Sequence, residues 1–220
     1  MTEPTTAPLA DPSDMIGMHR VFRIAFGSSV GYVEAADQGD AGRVDAVGSY
    51  FDNVLRLLHV HHDGEDGLMT PRLVQRASAD EVREVERVAA QHADVVNAIE
   101  TAEEAIATWR LAPSEDSAAV ASAALSGLGE GLTAHLDDEE RTVLPIAARY
   151  ITAPEWGELP AHGMQNFTGD KIWLVLGLIQ EQMTPEQVSI METHMPPPVA
   201  AWWTEQGRPM FTDFITALRA

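Results

Sequence analysis

Four stretches of the chain place apolar residues at steps of three and four. That spacing is the mark of an α-helix with one buried face. The first runs from about Ser13 or Asp14 to Gln38-Gly39, with Met15, Met18, Phe22, Phe26, Val30 and Val33 on its stripe. The second, from about Ala41 to Leu68, carries Val44, Val47, Phe51, Val54, Leu58, His61, Glu65 and Leu68 in strict alternation of the two steps. The third opens on Ser78-Ala79-Asp80-Glu81, a capping-box pattern, and carries Val85, Val88, His92, Val95, Ile99, Ala102 and Ile106 until Pro113 closes it. The fourth starts near Ser114, carries Ala121, Ala124, Leu128, Leu132, His135, Glu139, Val143 and Ile146, and ends before Pro154. Four long amphipathic helices with short connections predict an all-α fold, an antiparallel up-down four-helix bundle.

The pattern changes at both ends. Residues 1–12, rich in Pro, Thr and Ala, read as a disordered tail. After residue 153 the stripes shorten. Four of the five tryptophans fall there, Trp156, Trp173, Trp202 and Trp203, so this part should be well packed. Phe167 to Gln182 reads as a very apolar helix, Thr184-Pro185 opens another, Pro196-Pro197-Pro198 breaks the chain, and a last amphipathic segment runs from Pro209 to Ala220. The expected organisation is a bundle over 13–153 and a helical C-terminal extension over 154–220. That extension packs on the bundle or joins a homo-oligomer through its Trp-rich surface.

Charge narrows the partners. Acidic residues outnumber basic ones by 34 to 14, and the resulting formal charge of -20 opposes nucleic acid and anionic membranes while tolerating cations. The chain has no cysteine, which excludes disulfides, thiolate ligands and a cysteine nucleophile, and a reducing cytoplasm is the simplest compartment. The longest apolar run, Ile172 to Ile179, is too short to span a bilayer, and the N-terminus lacks the features of a signal peptide.

The candidate chemistry lies in the polar residues on the apolar stripes. His19, His61, His92 and His135 stand one to a helix, and Glu65 and Glu139 follow two of them by four residues, one turn away on the same face. His62 lies about 100° further round its helix, at the stripe's edge, where it fits either a metal ligand or a hydrogen-bonding neighbour of one. Unpaired buried carboxylates are costly, and a cation compensates them while imidazole lone pairs fill its coordination sphere. Nitrogen and oxygen donors without sulfur suit iron, manganese or zinc. Six or seven donors are too many for one tetrahedral ion and suit two ions bridged by carboxylate.

His19, His61-x-x-x-Glu65, His92 and His135-x-x-x-Glu139, in this order and each on a stripe, resemble the hemerythrin-like proteins of the His-His-Glu cation-binding kind. The resemblance covers roughly Asp14 to Tyr150. It implies a non-haem di-iron centre, with manganese or zinc as substitutes. Glu65 and Glu139 would bridge the two iron ions, and histidines would complete each. It also implies a small diatomic ligand or peroxide as partner, in a protein that binds or reacts with O2, NO or peroxide. A metal-responsive sensor without turnover and a peroxidase, catalase-like or ferroxidase enzyme are the alternatives. Two positions depart from the oxygen carriers of that family. Val96 stands where they have a further histidine, and both Glu139 and Glu140 follow His135 at usable spacing. The Glu-x-x-His spacing of ferritin-type di-iron oxidases is absent.

Overall fold

Each amphipathic stretch is helical in the computed structural model, which describes residues 7–220, but three of the four are interrupted. The first stretch is α1 (Ser13–Ala25), a 3-10 turn (Ser28–Val30) and the short α2 (Gly31–Glu34). It breaks at Gly27, where a Cβ would stand 2.6 Å from the Arg23 carbonyl oxygen. The second is α3 (Ala41–Gly64), a π turn (Glu65–Met69) and α4 (Thr70–Arg76). The third divides into α5 (Ala79–Ala89) and α6 (His92–Leu111) at a two-residue turn, Ala90-Gln91. Only the fourth, α7 (Glu115–Tyr150), is one unbroken helix, and it continues through Pro145. The expected cap holds at Ser78, which accepts from the backbone amide of Glu81, and Ser114 likewise accepts from the amide of Ser117.

Side-chain pairings fix how the helices lie. Along α7, Tyr150 meets Glu81, Asp138 meets Arg87, and His135 meets Gln91, so α7 runs against α5 and α6. Arg110 reaches Asp52 and Asp45, whereas His92 reaches Asp66, so α6 runs against α3. His19 contacts Glu140 while a Cβ on Gly129 would stand 2.0 Å from the Phe26 carbonyl oxygen, so α1 runs against α7. Glycine at 129 is what permits that approach.

The core has two apolar clusters. One holds Phe22, Phe26, Leu58, Val95, Ile99, Leu128 and Leu132 among others; the other holds Met15, Met69, Leu73, Val85, Val88, Val143 and Ile146. On every stripe the candidate ligands lie at the boundary: His19 between Met15 and Phe22, Glu65 between Leu58 and Met69, His92 between Val88 and Val95. A layer of imidazole and carboxylate thus divides the hydrocarbon.

The extension comprises α8 (Ala153–Trp156), α9 (Glu158–Asn166), α10 (Ile172–Glu181), α11 (Pro185–His194), α12 (Pro197–Trp202), a second π turn (Trp203–Gly207) and α13 (Arg208–Arg219). Trp156, Trp173 and Trp203 are buried within the chain itself. The helix expected from Phe167 begins only at Ile172. Before it the backbone is held off helix by buried Asn53, which accepts from the Lys171 amide and donates to Asp170. The disordered tail expected over 1–12 needs correction. Residues 1–6 lie outside the described residues, but Pro8 and Ala10 exchange backbone hydrogen bonds with Ala153 and Ile151. Among the described residues no helix is long and apolar enough to cross a membrane.

Candidate metal centre

All seven candidate ligands meet in the boundary layer, in two groups of four donors. His19, His61, Glu65 and Glu139 form one; His62, Glu65, His92 and His135 form the other. Within each group one donor atom per residue lies within 4.8 Å of the rest. Glu65 belongs to both. Its Oε1 is 3.1 Å from His61 Nε2 and its Oε2 is 3.6 Å from His92 Nε2, one oxygen to each group. Glu139 Oε2 is 3.4 Å from His19 Nε2. Of the two carboxylates expected to bridge the ions, Glu65 stands in both groups and Glu139 in the first.

The backbone brings Glu65 there through the π turn. The Thr70 amide donates to the Glu65 carbonyl, five residues back, which widens the helix just before Pro71, a residue without an amide hydrogen. One extra residue enters the turn. Met69 and Leu73 therefore take the buried face, where an unbroken α-helix would have buried Leu68.

Three rings are aimed by a hydrogen bond from Nδ1. His19 donates to Glu140 Oε1 at 2.8 Å, His92 to Asp66 Oδ1 at 2.8 Å, and His135 to Gln91 Oε1 at 3.0 Å. A proton fixed on Nδ1 leaves the Nε2 lone pair free for a cation. These partners are held in turn. Arg23 donates to Glu140 at 2.7 Å, and Gln91 donates to Asp138 at 3.0 Å, itself paired with Arg87 and Arg141. His62 differs, because neither of its ring nitrogens has a hydrogen-bond partner among the described residues. It is packed between other rings, 4.6 Å from His92 and 5.3 Å from His135 between centroids.

The partners Asp66 and Glu140 stand one residue beyond Glu65 and Glu139, on the outer side of the layer, as outer-shell groups would. Gln91 escaped the sequence reading. A glutamine just before a stripe histidine reads as surface, and only the turn at Ala90-Gln91 swings it toward α7. His162 of α9 approaches the same region: a Cβ on Gly64 would be 3.3 Å from its Cδ2. His59 belongs to neither group.

Burial dominates the electrostatics. It pushes the imidazolium form down to about 3 for His19 and about 4 for His135, and well below the ordinary range for His61 and His62. It pushes the carboxyl groups of Glu65 and Glu139 up, Glu139 to about 7. Protein atoms alone thus favour neutral rings and protonated acids; a cation at the same place reverses the preference of the acids.

Among the described residues, nine of the twelve buried side-chain nitrogen and oxygen atoms without a hydrogen-bond partner belong to these ligand candidates: Nε2 of His19, His61 and His135, both nitrogens of His62, and all four oxygens of Glu65 and Glu139. Each such group left unmade costs about 1–3 kcal/mol. The sum rivals or exceeds the ~5–15 kcal/mol that holds a whole domain folded. Convergent lone pairs and acids in that number fit cations and fit little else.

A comparison with family models supports the same assignment. The model for the hemerythrin HHE cation-binding domain matches residues 13–147. No curated protein and no solved structure matches the chain significantly. The match spans more than half of the sequence and covers all seven converging side chains, and the chain therefore belongs to the hemerythrin HHE cation-binding domain family.

Proposed function

We propose that the protein is a non-haem di-iron protein that binds or reacts with O2, NO or peroxide. The observation carrying this reading is the pair of four-donor groups that share Glu65 inside a closed core. His19, His61, Glu139 and Glu65 would hold one ion, and His62, His92, His135 and Glu65 the other. The iron pair would supply the redox chemistry toward such ligands. The chain supplies the setting. The two apolar clusters keep bulk water from the layer, Glu140, Asp66 and Gln91 fix three rings, and half-exposed Asp66 links His92 to solvent as a route for a proton. A cleft of about 460 Å³ between α6 and α7, with Val95, Leu128, Leu132, Gln91 and His135 in its lining, offers a small ligand an approach.

In this reading residues 13–153 form an antiparallel up-down four-helix bundle, which the reversed pairings support, residues 154–220 form its extension, and the protein works in the cytoplasm. A sensing role without turnover has one observation in its favour: α9 packs against Gly64, next to the π turn that presents Glu65. Metal analysis of freshly purified protein, followed by rapid mixing of the reduced form with O2, NO and peroxide, tests the reading. Two iron ions per chain and a rapid absorbance change with one of these ligands are expected. One zinc ion per chain, or no metal, overturns it.

A further inference from the structure

The two donor groups are unequal, and the inequality has a direction. The group of His19, His61, Glu65 and Glu139 contains both carboxylates; the group of His62, Glu65, His92 and His135 contains only the shared one. The neighbours sharpen the contrast. In the first group His19 is backed by the carboxylate of Glu140, itself clamped by Arg23. In the second, His92 is backed by Asp66, whose side chain is 53% exposed; His135 has only the neutral amide of Gln91, and His62 has no partner for either nitrogen. A carboxylate behind an imidazole strengthens it as a donor, and an amide does so less.

We infer that the centre fills in order. The first divalent ion takes the two-carboxylate group. The second takes the three-imidazole group and is held more weakly, so that at limiting metal the protein stands as a one-ion form. Two charges explain the order. The first ion meets two carboxylates in a low-dielectric interior and neutralises them. The second meets a carboxylate already shared with a neighbouring dication, and the repulsion between the ions is offset only by Asp66, which stands behind His92 and is half exposed to solvent. Coulomb energies of several kcal/mol at an effective dielectric near 20 make a second step weaker by ~100-fold or more. Dinuclear chemistry then switches on with metal supply. This inference rests on the metal-centre reading above and concerns the regulation of that same site.

The test is a titration of chelator-stripped protein with Mn2+, followed by calorimetry and electron paramagnetic resonance. The expected result is a first tight step giving an uncoupled one-ion signal, then a second step ~100-fold weaker in which magnetic coupling between the ions removes that signal. Two outer residues assign the steps without touching the core. Asp66→Asn should weaken only the second step, and Glu140→Gln only the first, each by roughly 10- to 100-fold. Circular dichroism confirms that both variants are folded. Two equal, simultaneous steps overturn the inference while leaving the dinuclear centre standing, as does a Glu140→Gln variant that loses the second step alone. Absence of any Mn2+, Fe2+ or Zn2+ binding overturns the metal-centre reading itself.

Discussion

Removing the metal should give the protein a different dependence of stability on pH, with a sign that the burial of the ligands fixes. In the unfolded chain the histidines titrate near 6.5. In the fold, burial lowers His19 to about 3 and His135 to about 4, and holds His61 and His62 well down. The unfolded state therefore takes up protons first as pH falls, and stability drops below pH 6.5 toward those folded values. The acids act oppositely. Glu139 is raised to about 7 and Glu65 well above the ordinary carboxyl range, so their contribution is complete in acid and is lost as pH rises through the folded values. The shift of Glu139 alone is worth about 3 kcal/mol. Below pH 6.5 four rings outweigh two acids, so stability falls as pH falls and climbs as pH rises toward 6.5. Above pH 7 the rings are neutral in both states, while Glu65 and Glu139, raised by burial, favour the proton only in the fold, so stability falls as pH rises.

Stripped protein should thus be most stable near neutrality and lose melting temperature as pH rises from 7 to 8.5. With metal bound, both acids are ionised in the folded state, and the alkaline decline disappears. Differential scanning calorimetry of loaded and stripped protein across pH 5–9 makes the comparison. Loading at pH 7.5 should also release protons, visible as a binding enthalpy that depends on the buffer's ionisation enthalpy. Parallel curves above pH 7, or loading without proton release, would refute the argument that these acids are buried protonated and ionise onto the cation.

Three further outcomes follow from particular residues. Glu65→Gln removes the shared carboxylate while preserving its shape; bound iron should fall from two ions per chain to one or fewer by elemental analysis, and the stripped variant should melt no lower than the stripped parent. Gly129→Ala places a methyl group 2.0 Å from the Phe26 carbonyl oxygen and should cost about 1–3 kcal/mol in urea unfolding, despite the better helix propensity of alanine. Gly131→Leu fills the cleft that His135 helps to line, whereas Gly127→Leu extends into open space away from it. Both should be neutral or stabilising by up to ~1 kcal/mol. Only the first should slow the reaction with a bulky organic peroxide, by stopped-flow absorbance, and equal rates in the two would remove the cleft as a route.

The seams were legible because helix periodicity is a local property, and Val85, Val88, His92, Val95 and Ile99 stay on one buried face although the helix breaks at Ala90-Gln91. The breaks were not legible, because each depends on a neighbour in space. Gly27 is needed where the chain turns against Arg23, and the π turn at Glu65 shows in the sequence only as Pro71, which reads equally well as a helix end. The same division holds at the site. A histidine on an apolar stripe is visible without coordinates, and so were all seven ligand candidates. The partner of a histidine lies on another helix. Nothing near His135 in sequence points to Gln91, and nothing near His162 points to Gly64.

The two His-x-x-x-Glu pairs show how far spacing alone reaches. Where α3 runs into the π turn, His61 and Glu65 keep company, with 3.1 Å between Nε2 and Oε1, and the divide between the two donor groups falls between the adjacent residues His61 and His62. On α7 the divide falls inside the pair: His135 joins His62 and His92, while Glu139, one turn on, joins His19 and His61. The helical rise over four residues is about 6 Å, enough to carry two donors from one group to the next when the helix axis lies along the line joining them. Adjacent residues, about 100° apart around the axis, separate the groups when the axis lies across that line. One motif therefore places Glu65 in both donor groups and Glu139 in one. What decides between them is the direction in which each helix crosses the layer, and the π turn that sets Glu65 at its middle.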